Sequence, residues 1–257
     1  MALIKTLNEI TIMREAGKIL SCIREEITHF FKIGISTFEL DIIASDIIKK
    51  HGVVSAFKGY QGFGGHICIS VNEGVVHGLP SKKKILKFGD IFTLDIGIKH
   101  KGYFVDSAWT YVLGQVPSKV QKLLDQTQES LFAGIEQVKP GNKISDISLA
   151  ISKIGTSNNY GIVEIFSGHG IGKKLHEKPY IFNFDFVPED YVLKPGMTFC
   201  IEPIFTLGSE KVKILKDGWT AITLDSSLSA HFEHTVLVTD TGYEILTKIN
   251  KRMKENY

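Results

Sequence analysis

GDIFTLDIGIKHKGYFVDSAWTYVLG, residues 89–114, consists of two β-rich arms that meet at Lys99–Gly102. β-Branched and aromatic residues fill both arms and a glycine sits at the join, a pattern that predicts an antiparallel hairpin. With His100–Lys101 as a two-residue turn, opposed residues have numbers that sum to 201, and Asp95 faces Asp106 directly. Directly opposed side chains have β-carbons about 4.5–5.5 Å apart, and like charges there are destabilising. A bulge at Gly102 would shift this register. The neighbours Leu94, Ile96, Phe104, Val105, Ala108 and Trp109 read as a hairpin buried on both sides. Two aspartates in such a place need a shared proton or a cation. The other reading is a pair of solvated acids on an exposed strand face.

Before the hairpin, residues 8–31 carry apolar side chains at helical spacing (Ile12, Ala16, Ile19, Leu20, Ile23, Ile27, Phe30), with Gly34 as the stop. A second helix starts at Ser36, which forms a capping box with Glu39, and runs to His51–Gly52. Glycine- and aromatic-rich loop and strand fill 53–80. After the hairpin the order repeats: a helix at about 117–137, then KPGNKISDISLAISKIG, then strands and loops over 161–245. That second loop and helix echo GISTFELDIIASDII at a displacement of about 107 residues, Gly141 answering Gly34 and Ile147 answering Leu40. With no linker between them, the halves (about 1–115 and 116–250) read as one domain, 1–257, with internal pseudo-symmetry.

Three more side chains join the two aspartates. His169 lies in SGHGIGKKLHEKP, where flanking glycines let the backbone approach closely and His176 follows seven residues on. Glu202 sits in MTFCIEPIF, and Glu233 between Phe232 and His234 ahead of TVLVT. A carboxylate in an apolar run is rarely buried without a partner. A lysine or arginine could be that partner for either glutamate. Together, two Asp, two Glu and one His form a hard, oxygen-rich set with one nitrogen. It suits two divalent ions of the Mn, Fe, Co, Zn or Ni kind rather than a cysteine-rich structural zinc site. Paired ions can lower the pKa of a water and polarise a carbonyl together, so hydrolysis is the natural chemistry.

The rest of the composition excludes more than it proposes. The chain is 43% hydrophobic and 23% charged with a formal net charge of +2, which gives no global case for a specific nucleic-acid partner. The basic clusters Lys82–Lys84 and Lys248, Lys251, Arg252, Lys254 read as solvated surface. Three widely spaced cysteines (Cys22, Cys68, Cys200) fit a reducing compartment. The first residues do not form a signal peptide, and no stretch is long enough for a membrane span. A cytoplasmic monomer is the expectation.

The contexts TLDIG, FVDSA, GHGIG, IEP and FEHT, with VNEGVVHGLP and LSAHFEHT around them, resemble type I methionine aminopeptidase from the first helix to about residue 246. The resemblance implies the pita-bread (creatinase/aminopeptidase) fold. This is an α+β architecture of two pseudo-symmetric halves, with helices packed on a curved antiparallel sheet. It implies that Asp95 chelates one metal, that Asp106 and Glu233 bridge two, and that His169 and Glu202 complete the other shell. Glu202 would also be the general base, His176 would donate to the developing oxyanion, and His77 would contact the substrate backbone. The methionine pocket would be Phe57, Tyr60, Phe63, Cys68, Leu175, His176 and Trp219, a slot suited to a polarizable thioether. Backbone carbonyls of Asn72, Gly74 and Ser229 would hold one monovalent cation. The substrate would be the N-terminus of a nascent polypeptide whose second residue is small, with ribosome association through Lys82–Lys84.

This chain departs from the family pattern at Phe57, Phe63, Leu175, Cys200 and His231, where several relatives carry cysteine, tyrosine, phenylalanine, threonine, and glutamine or asparagine. These departures bear on pocket shape, inhibitor response and metal preference. A proline-directed aminopeptidase or creatinase-like hydrolase shares the ligand set but usually carries a large domain ahead of it, and here only about 90 residues precede Asp95. Type II enzymes insert helices between the histidine and the first glutamate, where this chain has 32 residues. A cysteine-rich N-terminal extension is missing too, which points to the short bacterial-type form. Non-catalytic pita-bread proteins that bind ribosomes or nucleic acid have broken ligand sets, whereas all of these ligands are present.

Overall fold

The computed structural model describes residues 4–248. Helix α1 (Leu7–Thr28) begins at a reciprocal cap: the Glu9 backbone N–H donates to Thr6 Oγ1, and the Thr6 N–H donates to Glu9 Oε2. It buries Met13, Ala16, Leu20, Ile23 and Ile27 along one face. The apolar spacing predicted three more residues, but the chain leaves the helix at His29, and Phe30 is exposed. Phe31 accounts for the overrun: from outside the helix it packs edge-on against Phe92 and Tyr111. Helix α2 (Thr37–Lys50) starts on the Ser36–Glu39 box as predicted. Helices α3 (Ser118–Glu136) and α4 (Ile144–Ser157) pack against each other.

Every sheet is antiparallel. The strands Ile91–His100 and Tyr103–Val112 form the hairpin, with Cys68–Val71 and Val54–Ser55 alongside the first of them. A second sheet runs in the order Tyr243–Ile245, His234–Val238, Thr198–Ile201, Gly168–Gly170, Glu177–Ile181. α1 lies across the hairpin, and α3 touches Thr198–Ile201, Ile204–Thr206 and Ser229–His231, so each sheet region has its own helix layer and core.

The hairpin register differs from the sequence reading. Its last pair is His100 with Tyr103, and the turn is Lys101–Gly102 with φ of 46° and 89°. Two successive left-handed residues make the turn that follows strand twist, and glycine at its second position favours this site over His100–Lys101. Opposed numbers therefore sum to 203: Asp95 faces Ala108 and Asp106 faces Gly97. The aspartates remain on one face of the sheet, but as diagonal neighbours.

Backbone contacts recur at the 107-residue displacement. The Gly34 N–H donates to the Leu86 carbonyl at 2.8 Å, and the Gly141 N–H to the Leu193 carbonyl at 3.0 Å. Ser36 bridges Ile85 as Lys143 bridges Val192. The strands that carry Asp95 and lead into Glu202 begin at Ile91 and Thr198, again 107 apart. Lys82, Lys83 and Lys84 are exposed. Lys251, Arg252 and Lys254 lie outside the described residues.

Gly97 is the point of closest approach beside the aspartates. A β-carbon there would lie 2.7 Å from Phe57 Cε1 and 2.9 Å from Ala56 Cβ. Gly97→Ala should cost roughly 1–3 kcal/mol of stability through overpacking. Urea unfolding measures this, and an unchanged midpoint would show that Phe57 moves aside freely.

Candidate active site

The two aspartates meet Glu233 because the strand Tyr103–Val112 is fastened to residues 231–235 by a run of hydrogen bonds. The Asp106 N–H donates to Thr235 Oγ1 at 2.9 Å, and that hydroxyl donates back to the Asp106 carbonyl at 2.8 Å. The Glu233 N–H donates to the Ala108 carbonyl at 2.8 Å. The Thr110 hydroxyl donates to the His231 carbonyl at 2.8 Å, and the His231 N–H donates to Thr110 Oγ1 at 2.9 Å. Alternate residues of each segment are thus paired, and the side chains of Asp106 and Glu233 converge.

Ligand atoms of Asp95, Asp106 and Glu233 all lie within 4.8 Å of one another, as do those of His169, Cys200 and Glu233. Glu233 belongs to both groups. His169 Nε2 is 3.6 Å from Glu202 Oε1. Its Nδ1 lies 3.0 Å from the Gly170 carbonyl, and donating there leaves the Nε2 lone pair facing the carboxylates. All five predicted ligands are therefore brought together. Cys200, read from sequence only as a departure from relatives, sits among them. A partly apolar strand residue gives no outward signal of that placement.

Burial holds the carboxyls of Asp95, Glu202 and Glu233 well above the usual carboxylate range, and Asp106, beside them, adds to it in each case. Burial raises Asp106 to about 7. Burial also holds three nearby histidines neutral: His169 falls to about 3, His231 to about 3 and His77 to about 4. Asp95 Oδ1 and Glu233 Oε1 are buried with no hydrogen-bond partner among the described residues. Orphaned, crowded oxygens with one neutral imidazole fit hard or borderline divalent cations, and a cation would relieve the repulsion.

Above this floor is a cavity of about 290 Å³. It is lined by every predicted pocket residue (Phe57, Tyr60, Phe63, Cys68, Leu175, His176, Trp219) and by His77. Phe63 packs edge-on to Trp219 with ring centroids 5.1 Å apart, and His77 packs edge-on to Phe166 at 5.2 Å. Tyr60 Oη lies 2.7 Å from His176 Nδ1. A hydroxyl donating there leaves the His176 proton on Nε2. Partial desolvation lowers the His176 pKa. Ile165, Phe166 and Tyr180 also line the cavity, and the sequence reading missed them. Ile165, in a loop, and Tyr180, on the strand Glu177–Ile181, are both exposed, and neither stands out in the sequence pattern. Asn72 and Ser229 are joined backbone to backbone at 2.9 Å, with Gly74 two residues beyond Asn72, and none of the three lines the cavity.

Residues 11–240 match the model of metallopeptidase family M24. The chain is 47% identical to methionine aminopeptidase 1 of Bacillus subtilis (strain 168) over 249 residues, covering 97% of this chain and all of that protein. The solved methionine aminopeptidase of Thermotoga maritima superposes with a TM-score of 0.92 at 41% identity, covering 95% of this chain and 98% of that one. The prolidase of Pyrococcus furiosus superposes at 0.80 with 26% identity, covering 97% of this chain and 66% of that one.

The shifted groups set a pH dependence for the metal-free protein. Carboxyls raised above their unfolded values bind protons better when folded, so their contribution falls as pH rises. Five histidines lowered in the fold, His77, His169, His176, His231 and His234, act oppositely until their unfolded forms have lost their protons, about one unit above the ordinary value of 6.5. Above about pH 7.5 the carboxylates lead, and the chelated protein should lose melting temperature as pH rises further. Added Mn²⁺ should restore it, with a larger gain at higher pH. Thermal scans with EDTA or Mn²⁺ check both, and a melting point that rises with pH in that range under EDTA would contradict them.

Proposed function

The chain belongs to metallopeptidase family M24, and from that premise we propose how its residues work and which polypeptides they accept. It is a metal-dependent aminopeptidase of the short bacterial methionine-aminopeptidase type, and it removes the N-terminal methionine. Its fold is the pita-bread fold. The proline-directed reading is not favoured, since the prolidase likeness is 26% against 47% for the methionine enzyme. The observation that carries the residue roles is the carboxylate–imidazole floor beneath an aromatic cavity of about 290 Å³. That is just under the roughly 300–1,000 Å³ of typical ligand pockets, and suits one amino-acid side chain.

In this reading Asp95, Asp106, His169, Glu202 and Glu233 would hold two divalent cations, and the convergence of their ligand atoms supports this. Cations bound there supply the positive charge that polarises the scissile carbonyl and activates water at neutral pH. Glu202, which lines the cavity, accepts the proton that leaves the attacking water. His176, oriented through Nδ1 by Tyr60, presents Nε2–H to the developing oxyanion. His77, neutral and held against Phe166, contacts the substrate backbone. Phe57, Tyr60, Phe63, Cys68, Leu175 and Trp219 receive the methionine side chain. The cavity has room for one side chain, so a small second residue (Gly, Ala, Ser, Thr, Pro, Val or Cys) is required at the rim. A monovalent cation on the Asn72, Gly74 and Ser229 carbonyls belongs to the same reading.

The chain reads as one catalytic domain of two related halves, which the contacts repeated at 107 residues support. Among the described residues no helix is long and apolar enough to cross a membrane. We place the protein in the cytoplasm as a monomer acting on nascent chains. Exposed Lys82–Lys84 is the proposed ribosome contact, an idea that unchanged co-sedimentation of a charge-reversed variant would remove.

The deciding assay offers Met-Ala-, Met-Leu- and Ala-Pro-starting peptides to metal-stripped protein with Mn²⁺, Co²⁺, Fe²⁺, Zn²⁺ or Ni²⁺ restored singly. Methionine should be released from the Met-Ala peptide, at least about a hundredfold faster than from Met-Leu, and only with metal. Cleavage of Ala-Pro alone would sink the proposal.

A further inference from the structure

His231 ends the strand Ser229–His231 and is 2% exposed. Its backbone is fixed on both sides by the Thr110 hydroxyl, so the ring direction is set by the sheet. Neither ring nitrogen has a hydrogen-bond partner among the described residues. Buried imidazoles are rarely left so, and the exceptions call for an explanation. The explanation lies at Nε2, which is 3.7 Å from Glu202 Oε2. The other carboxylate oxygen, Oε1, is 3.6 Å from His169 Nε2. Glu202 is thus flanked by two imidazoles, one per oxygen. His231 does not itself line the cavity, whereas Glu202 does. A movement of about half an ångström would bring Nε2 within hydrogen-bond reach of Oε2.

We propose that His231 is a positioning residue for Glu202. Its Nε2–H donates to Oε2 and assigns the two oxygens different tasks: Oε1 stays turned toward His169, and Oε2 is held for proton transfer. When the water attacks, its O–H bond breaks and the proton passes to a free lone pair of Oε2. The imidazole keeps its own proton, so nothing is gained or lost at His231. The inference rests on Glu202 being the base. It concerns geometry, and it requires only that the ring stay a neutral donor. Asn183, whose Nδ2 donates to the Glu202 carbonyl at 3.0 Å, holds the backbone of the same residue. Backbone and side chain of Glu202 are then both fixed by residues outside the cavity lining.

The test compares His231→Leu, His231→Gln, Glu202→Gln and the double variant His231→Leu/Glu202→Gln, as full chains loaded with Mn²⁺, on one Met-Ala peptide. His231→Leu should lower kcat about ten- to a hundredfold with KM within about twofold, and His231→Gln, which keeps a donor, should recover to within about fivefold of wild type. The double variant should be no slower than Glu202→Gln alone, because the two side chains act as a unit. Calorimetry should give the single variants His231→Leu and His231→Gln the Mn²⁺ affinity of wild type. In metal-free wild-type protein with ¹⁵N-labelled histidine, NMR should show His231 as the Nε2–H tautomer, with a shift that moves in Glu202→Gln. Unchanged kcat in His231→Leu, additive losses in the double variant, or an Nδ1–H tautomer would overturn the inference. Weakened Mn²⁺ binding in both His231 variants would make the residue a ligand instead, and would overturn it as well. Should His231→Leu fail to fold, the tautomer in wild type still decides. Full turnover in Glu202→Gln would instead refute the base assignment itself.

Discussion

The site depends on one seam, where Asp106, Ala108 and Thr110 meet Thr235, Glu233 and His231. Only its middle link is a backbone N–H to a backbone carbonyl. At both ends a threonine hydroxyl accepts from one backbone N–H and donates to one carbonyl, taking the place of a ladder pair. That substitution lets two segments approach where regular pairing is interrupted at Phe232–Glu233. It satisfies backbone groups that are buried on both sides, as a closed interior requires. Without the seam Asp106, on the hairpin, would lie apart from Glu233, in the break between Ser229–His231 and His234–Val238.

Charge is the cost of that convergence. Four carboxyls are drawn into a desolvated floor, and burial leads the causes that lift each of them from its ordinary range. Arg24 offsets part of this from behind. Fully buried on α1, it donates to Ser107 Oγ and lies over the Trp109 ring at 5.2 Å, and its charge is among the influences that lower Glu233. One cation cannot neutralise the floor. The orphaned oxygens of Asp95 and Glu233 mark what remains for bound metal to satisfy.

The sequence disclosed those parts of the molecule that local physics determines. The Ser36–Glu39 box was readable because capping involves residues three apart, and it formed as expected. The hairpin was readable from its alternation, but its register was not. The choice between His100–Lys101 and Lys101–Gly102 rests on which residues accept a left-handed backbone, and Lys101 adopts it against its preference. The slip moved the pairing by two residues and so kept both aspartates on one face, which is why their side chains still converge despite the different register. The seam was invisible, since threonine hydroxyls standing in for ladder bonds leave no periodicity. Cys200 and His231 were equally hidden, being ordinary strand residues until a distant segment puts a carboxylate beside them.

The distribution of ligands over the chain follows from these two levels of order. Asp95 and Glu202 lie 107 residues apart, the displacement at which the glycine-led entries to α2 and α4 repeat their backbone contacts. Asp95 and Glu202 each lie four residues beyond the start of a strand, Ile91–His100 and Thr198–Ile201. Asp106 and Glu233 do not share that spacing. They come from the seam, and only a contact between halves can position them. A carboxylate contributed by each half, joined by two from the junction, gives a floor that exists only when both halves are docked. A cation that bound only the assembled floor would stabilise the docked arrangement by its binding free energy.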